Sequence, residues 1–195
     1  MLTLGLTGKT GAGKSTVASY LKENGCYIID GDVIARQITE KGSEILPVLQ
    51  KAFGEDILDE NGELIRKKLA ERAFSSKDNT ALLNSITHPV IKQRCSDEMK
   101  KAESLGYKTA LIDAAALLDS DCKDLCQKMI VVTAPEEIRL ERILQRDAIT
   151  NEQALSRIKA QKSDEYYFSH ADIIIRNYPP YNLQDEFLKL KELIG

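Results

Sequence analysis

Leucines at positions 2, 4 and 6 alternate with threonine and glycine, the period of two that predicts a strand over residues 2–7. The period then changes. Behind a glycine-rich interruption, Val17, Ala18 and Leu21 return at helical spacing and predict a helix from Lys14 to about Glu23, which Gly25 stops. A short strand follows at residues 27–29, then helical patterns over about 33–39 and 43–53. From about residue 64 to 105 the chain is charged and helical throughout, with Asn61 and Gly62 as a turn ahead of it and Gly106 closing it. Strands return at 109–113, 129–133 and 172–175, parted by helices that begin near Pro135, Asn151 and Leu183. Strands alternating with helices belong to a parallel sheet covered on both faces, and the unbroken helical middle reads as an insert.

Composition bounds this picture without changing it. A length of 195 residues suits one domain. With 43% hydrophobic and 29% charged residues, the chain can bury a core and is not of a disordered class. A net charge of -3 and a pI near 5.6 argue against a dedicated nucleic-acid binder, while a local cationic pocket for a small anion stays open. The four cysteines, Cys26, Cys95, Cys122 and Cys126, show neither the paired spacing of a zinc site nor the density of a disulfide framework, and read as reduced packing residues. No apolar run approaches the ~20 residues of a membrane helix. The opening strand runs straight into the glycine loop and leaves no space for a leader, so a cytoplasmic location is expected, with no membrane, nucleic-acid or obligatory protein partner.

The interruption itself carries the chemistry. Gly8, Lys9, Thr10, Gly11, Ala12, Gly13, Lys14 and Ser15 fit G-x-x-x-x-G-K-[ST] at every required position, between a strand and a helix. Backbone N–H groups wrap a phosphate only where side chains do not block the approach, and the helix start adds its positive dipole end. Lys14 reaches the terminal phosphates and the Ser15 hydroxyl completes a magnesium shell, so the loop is read as holding a nucleoside triphosphate, ATP, with Mg2+. Further on, Asp30 and Asp32 stand just past a buried strand, where open α/β sheets place ligand-binding residues. Each fits two roles: base for an alcohol attacking the terminal phosphate, or cap of the helix opening at Val33.

Taken together, the segments GLTGKTGAGKSTV, YIIDGDVIARQI, ITHPVI, ALIDAAALLDSD, IVVTAPEEIRLERILQRDAITNEQALSRIKAQ and HADIIIRN resemble the dephospho-CoA kinase family in order and spacing, over nearly the whole chain. The resemblance implies a P-loop kinase that moves the ATP γ-phosphoryl to the ribose 3'-hydroxyl of dephospho-CoA, the last step of CoA biosynthesis. It implies Asp32 as base, Arg36 and His88 on the acceptor side, and Thr16 with the rest of the loop on ATP. It also implies Arg142 and Arg146 in a lid over the phosphates, and Asn177 near the adenine. The expected layout is a core of about 1–60 and 106–195, an acceptor-binding insert of about 61–105, and a lid of about 139–165. In two places the chain departs from the family. The usual D-x-P-L-L-x-E element here runs from Asp113 through Ala114, Ala115, Ala116, Leu117 and Leu118 to Asp119, lacking the proline and shortening the acid. The glycine-containing turn after Asn177 is replaced by Tyr178, Pro179, Pro180 and Tyr181.

Two features keep a second reading beside the functional one. Arg139, Arg142 and Arg146 fall on one helical stripe, which suits either transferring phosphate or plain solvent. Pro89 disfavours helical geometry at His88, so a break between two helices is expected there, with the imidazole either on a ligand or hydrogen-bonded internally. A kinase of the nucleoside-monophosphate type or of another small metabolite is the nearest rival function. A regulatory ATPase that signals through a partner is the rival from another class, separated from a kinase by whether ATP consumption needs an acceptor.

Overall fold

The computed structural model describes residues 1–194. Along the chain the elements are β1 (Leu2–Gly8), α1 (Lys14–Glu23), β2 (Tyr27–Asp30), α2 (Gly31–Gln37), α3 (Leu46–Phe53), α4 (Arg66–Ala73) and α5 (Lys77–Ser104). They continue with β3 (Thr109–Asp113), β4 (Lys128–Thr133), α6 (Glu136–Arg146), α7 (Asn151–Lys159), α8 (Asp164–Phe168), β5 (Ile173–Arg176) and α9 (Leu183–Ile194). Short 3-10 turns at Glu55–Ile57, Leu117–Asp119 and Asp121–Leu125 complete the inventory.

The five strands form one parallel sheet in the order β2-β3-β1-β4-β5. Alternation sorts the strand residues between its faces. Leu4, Leu6, Leu111, Ile130 and Ile175 pack with Val17 and Leu21 of α1 and Phe187 and Leu190 of α9. Ile29, Ile112 and Val131 pack on the other face with Leu49 and Phe53 of α3, Leu69 of α4 and Cys95 of α5. Burying each such aliphatic side chain contributes roughly 1.5–3 kcal/mol against leaving it in water. Chain order reverses at β1, which lies between β3 and β4, and a sheet of this kind binds ligands in the crevice at the carboxyl ends of the strands beside that switch. The register brings the chemistry there: Asp30 lies opposite Asp113, Asp113 opposite Leu6, and Gly8 opposite Val132.

The expected α/β class with a helical middle is what the chain adopts. One local expectation is corrected. No break occurs at His88, because α5 runs unbroken through Pro89. Both Pro89 and Ser85, whose carbonyl loses its helical donor to that proline, are exposed residues, so the lost bond does not fall in the core. No helix of the described residues is long and apolar enough to cross a membrane.

Candidate active site

The loop between β1 and α1 depends on glycine at two points. Gly11 and Gly13 have φ of 79° and 94°, left-handed values that disfavour any side chain. There is also no space: a Cβ on Gly11 would lie 2.6 Å from the Arg139 carbonyl oxygen, and one on Gly13 would collide with the Asn177 amide. The loop is thus pressed between α6 and the residue after β5. Its carbonyls are taken on that side. Arg142 Nη1 donates to the Gly11 and Ala12 oxygens at 3.2 and 3.3 Å, its Nη2 donates to the Asn177 oxygen at 2.8 Å, and Asn177 Nδ2 donates to the Ala12 oxygen at 3.0 Å.

The N–H groups are left for something else. Among the described residues no acceptor takes the amides of Gly11, Gly13, Lys14 or Ser15, and α1 starts at Gly13 without a side-chain cap. Free donors at a helix N-terminus are an anion site, since the amides and the helix dipole act in the same direction. Lys14 stands beside them, its ammonium paired with the Asp113 carboxylate at the end of β3. Burial pushes the Asp113 carboxyl above its ordinary pKa, Lys14 opposes that rise, and the nearby charges of Asp30 and Asp32 add to it.

The two aspartates after β2 divide the roles that the sequence left open. Asp30 is the helix cap: its Oδ1 accepts the Val33 N–H at 2.9 Å. Asp32, in the first turn of α2, caps nothing. Its exposed carboxylate faces the Ala115 amide at 3.3 and 3.4 Å. That amide exists because the proline expected at this place is an alanine, so the first departure supplies the carboxylate with a donor that proline lacks. The shortened acid of the same element is met from α8. The Tyr166 hydroxyl donates to Asp119 Oδ1 at 2.8 Å and so reaches the shortened acid, and burial together with that carboxylate pushes the phenol up to about 12.

These groups enclose one cavity of about 580 Å³, with Gly8, Lys9, Thr10, Gly11, Gly13, Lys14 and Ser15 on one wall and Asp32, Arg36, Ala115, Arg142, Arg146 and Gln161 around the rest. Ala12 is a core residue whose carbonyl alone serves the site, and Thr16 lies outside the lining, its N–H already closing the first turn on Gly13 at 3.1 Å. Asn177 braces the loop from beneath. His88 stands elsewhere on α5, its Nδ1 3.9 Å from Asp121 Oδ1. The arginine stripe is split by burial: Arg139 is 3% exposed and donates from Nε to the Ala134 oxygen at 3.1 Å, whereas Arg146 lines the cavity and holds Asp147 at 2.6 Å. A larger cavity of about 800 Å³ between the α2–α3 connection and α5 has no phosphate-binding loop.

Asp113 and Gln161 were missed as site residues from the sequence. The signal for Asp113 was its place at the end of a buried strand; that it meets Lys14 depends on β3 pairing with β1. Gln161 follows a helix in a polar stretch and carries no local signal. Its Oε1 accepts the Thr10 N–H at 3.0 Å.

The dephospho-CoA kinase family model matches residues 2–180. A dephospho-CoA kinase of Corynebacterium efficiens is 43% identical over 180 residues, covering 92% of this chain and 90% of its own. Among solved structures, the Thermus thermophilus protein TT1252 superposes with a TM-score of 0.84 at 26% identity, covering 100% of this chain and 98% of its own. The dephospho-CoA kinase of Campylobacter jejuni does so with a TM-score of 0.62 at 28% identity, covering 99% and 97%.

Proposed function

The chain belongs to the dephospho-CoA kinase family, enzymes that transfer the ATP γ-phosphoryl to dephospho-CoA in the final step of CoA biosynthesis, and on that premise we propose how its residues divide the work. The observation that carries the assignment is the single cavity in which the unpartnered loop amides, Lys14 and the exposed carboxylate of Asp32 face one another. The loop amides of Gly11, Gly13, Lys14 and Ser15 cradle the ATP phosphates. Lys14 leaves Asp113 for the terminal phosphates and follows their charge into the transition state. Asp32 accepts the proton of the ribose 3'-hydroxyl as that oxygen attacks phosphorus, while the Ala115 amide holds the carboxylate toward the acceptor.

Arg142 fixes the loop's shape through its carbonyls, and Arg146 neutralises charge on the transferring group. Asn177 braces the adenine side of the site. The oxygen donors at hand suit Mg2+, with Ser15 and, once Lys14 has left it, Asp113 as the protein's share, because this ion keeps waters and substrate phosphates in its shell. When bound, the ion screens the negative charge of the phosphates.

Arg36 lies on the acceptor side of the cavity. Beyond it, an apolar cleft of about 230 Å³ between α2, α4 and α5, with Ile38, Leu69, Phe74, Leu83 and Ile91 in its walls and Arg66 beside them, takes the remote arm of the acceptor. The insert of about 61–105 thus forms the acceptor half, its His88 facing Asp121 rather than either cavity, and α6 with α7 the lid of about 139–165. A cytoplasmic enzyme without an obligatory partner fits this division. The test is ATP consumption with Mg2+ in the presence and absence of dephospho-CoA. Strict dependence on the acceptor supports the assignment, and equal consumption without it would assign the site to a regulatory ATPase.

A further inference from the structure

α6 and α7 share a small core of their own, in which Ile143 packs with Ala154 and Ile158 apart from the clusters on the sheet. Asp147 draws the two helices together further, meeting Arg146 at 2.6 Å and Arg157 at 2.8 Å. α6 is fixed to the phosphate loop by Arg142, and α7 to α6 by that core, so the turn after α7 is the part free to lift. A segment tied to the body by few contacts opens before the packed elements around it.

Two polar contacts join that turn to the loop. The Thr10 N–H donates to Gln161 Oε1 at 3.0 Å, and Lys9 Nζ meets Asp164 Oδ1 at 2.7 Å. Lys9 and Thr10 occupy variable positions of the loop motif, so neither contact is required by the phosphate cradle. The ion pair is also asymmetric. The Lys9 side chain is 14% exposed and that of Asp164 60%, and a sheltered ammonium left without its counter-charge is costly. The middle of α8 is held as well, through Tyr166 and Asp119.

We propose that Lys9, Gln161 and Asp164 form a clasp that fastens the turn between α7 and α8 over the phosphate cavity, making Gln161 and Asp164 positioning residues that set the dwell time of bound nucleotide. The clasp rests on reading this cavity as the ATP site. Once ATP is seated, departure requires the turn to lift, and lifting breaks both contacts. The ion pair therefore slows release while taking no part in the chemical step.

The competing behaviour has the opposite sign. If Lys9 abandoned Asp164 for a phosphate whenever ATP arrived, removing the aspartate would free the lysine and tighten binding. The experiment measures dissociation of a fluorescent ATP analogue with Mg2+ from the full chain, beside steady-state kinetics and a melting curve. Asp164→Asn is expected to speed dissociation about two- to fivefold, the scale of a partly exposed ion pair, with the change falling on KM for ATP more than on kcat. Lys9→Met combined with Asp164→Asn should be little worse than the more damaging single change. Slower or unchanged dissociation in Asp164→Asn, or full additivity in the double variant, overturns the clasp. Lys14→Ala separates the two failures: if it binds the analogue as wild type does, the nucleotide reading of the cavity has failed and the clasp with it.

Discussion

The division of labour between Asp30 and Asp32 can be tested by crossing two substitutions against two readouts. Asp32→Asn keeps the shape of the side chain and one oxygen for the Ala115 amide, whose contact at 3.3 Å is long in any case, and it disturbs no cap because Asp30 supplies it. An exposed substitution of this kind changes stability by about 0.5 kcal/mol or less, which for a chain of this size moves the melting midpoint by no more than about 2 °C. Turnover has no such protection. Loss of a general base costs about 10²-fold or more, equivalent to about 2.7 kcal/mol on the barrier. Asp30→Ala should behave the other way. It removes the 2.9 Å bond to Val33 N, worth about 1 kcal/mol as a helix cap, and lowers the midpoint by about 2–4 °C while turnover at a temperature below the transition changes a few-fold at most. The assay is steady-state formation of CoA with saturating ATP, paired with thermal denaturation of the same preparations. Asp32→Asn turning over within a few-fold of wild type would refute the reasoning. So would Asp30→Ala losing as much activity as Asp32→Asn at an unchanged midpoint, since the proton acceptor would then be the residue assigned to the cap.

Lys14→Met should bind ATP weakly and fail in transfer, and it also has a spectroscopic consequence. Asp113 already titrates above its ordinary value through burial and loses its opposing cation, so its carboxyl resonance should move to still higher pH; a midpoint unchanged or lowered would show that the pair does not exist in solution. Because the folded carboxyl binds its proton more tightly than the unfolded one, the Asp113 contribution to stability falls as pH rises from about 3.8 through the folded value, and the destabilisation of Lys14→Met relative to wild type should grow across that window. Arg142→Lys keeps the charge, but one ammonium cannot hold the Gly11, Ala12 and Asn177 carbonyls together, so turnover should drop about tenfold or more and unchanged kinetics would refute the bracing role. Gly13→Ala forces a left-handed alanine against Asn177 and should cost at least about 1–2 kcal/mol together with most nucleotide affinity, measured by denaturation and titration; a variant that melts and binds like wild type contradicts the packing described.

Local regularities were legible because they are local. The strand at Leu2, Leu4 and Leu6, the helix from Lys14 and the strand at Thr109 follow from residue spacing alone, and the phosphate loop is legible because its chemistry demands a contiguous run of small residues ending in Lys14 and Ser15. The sequence offered Asp30 and Asp32 each as base or cap, and the family resemblance pointed to Asp32 as the base. Tertiary structure placed the cap, since only the packing of α2 against the end of β3 shows the Asp30 carboxylate spent on Val33 and that of Asp32 facing Ala115 across the site. Strand order, which no residue encodes by itself, placed Asp113 beside Lys14. Burial divided an arginine stripe that looks uniform on a helical projection, sending Arg139 beneath the loop and leaving Arg146 on the cavity. Contacts such as Thr10 with Gln161 join residues far apart in the chain, so periodicity and motif spacing, which report only neighbours along the sequence, carry no trace of them.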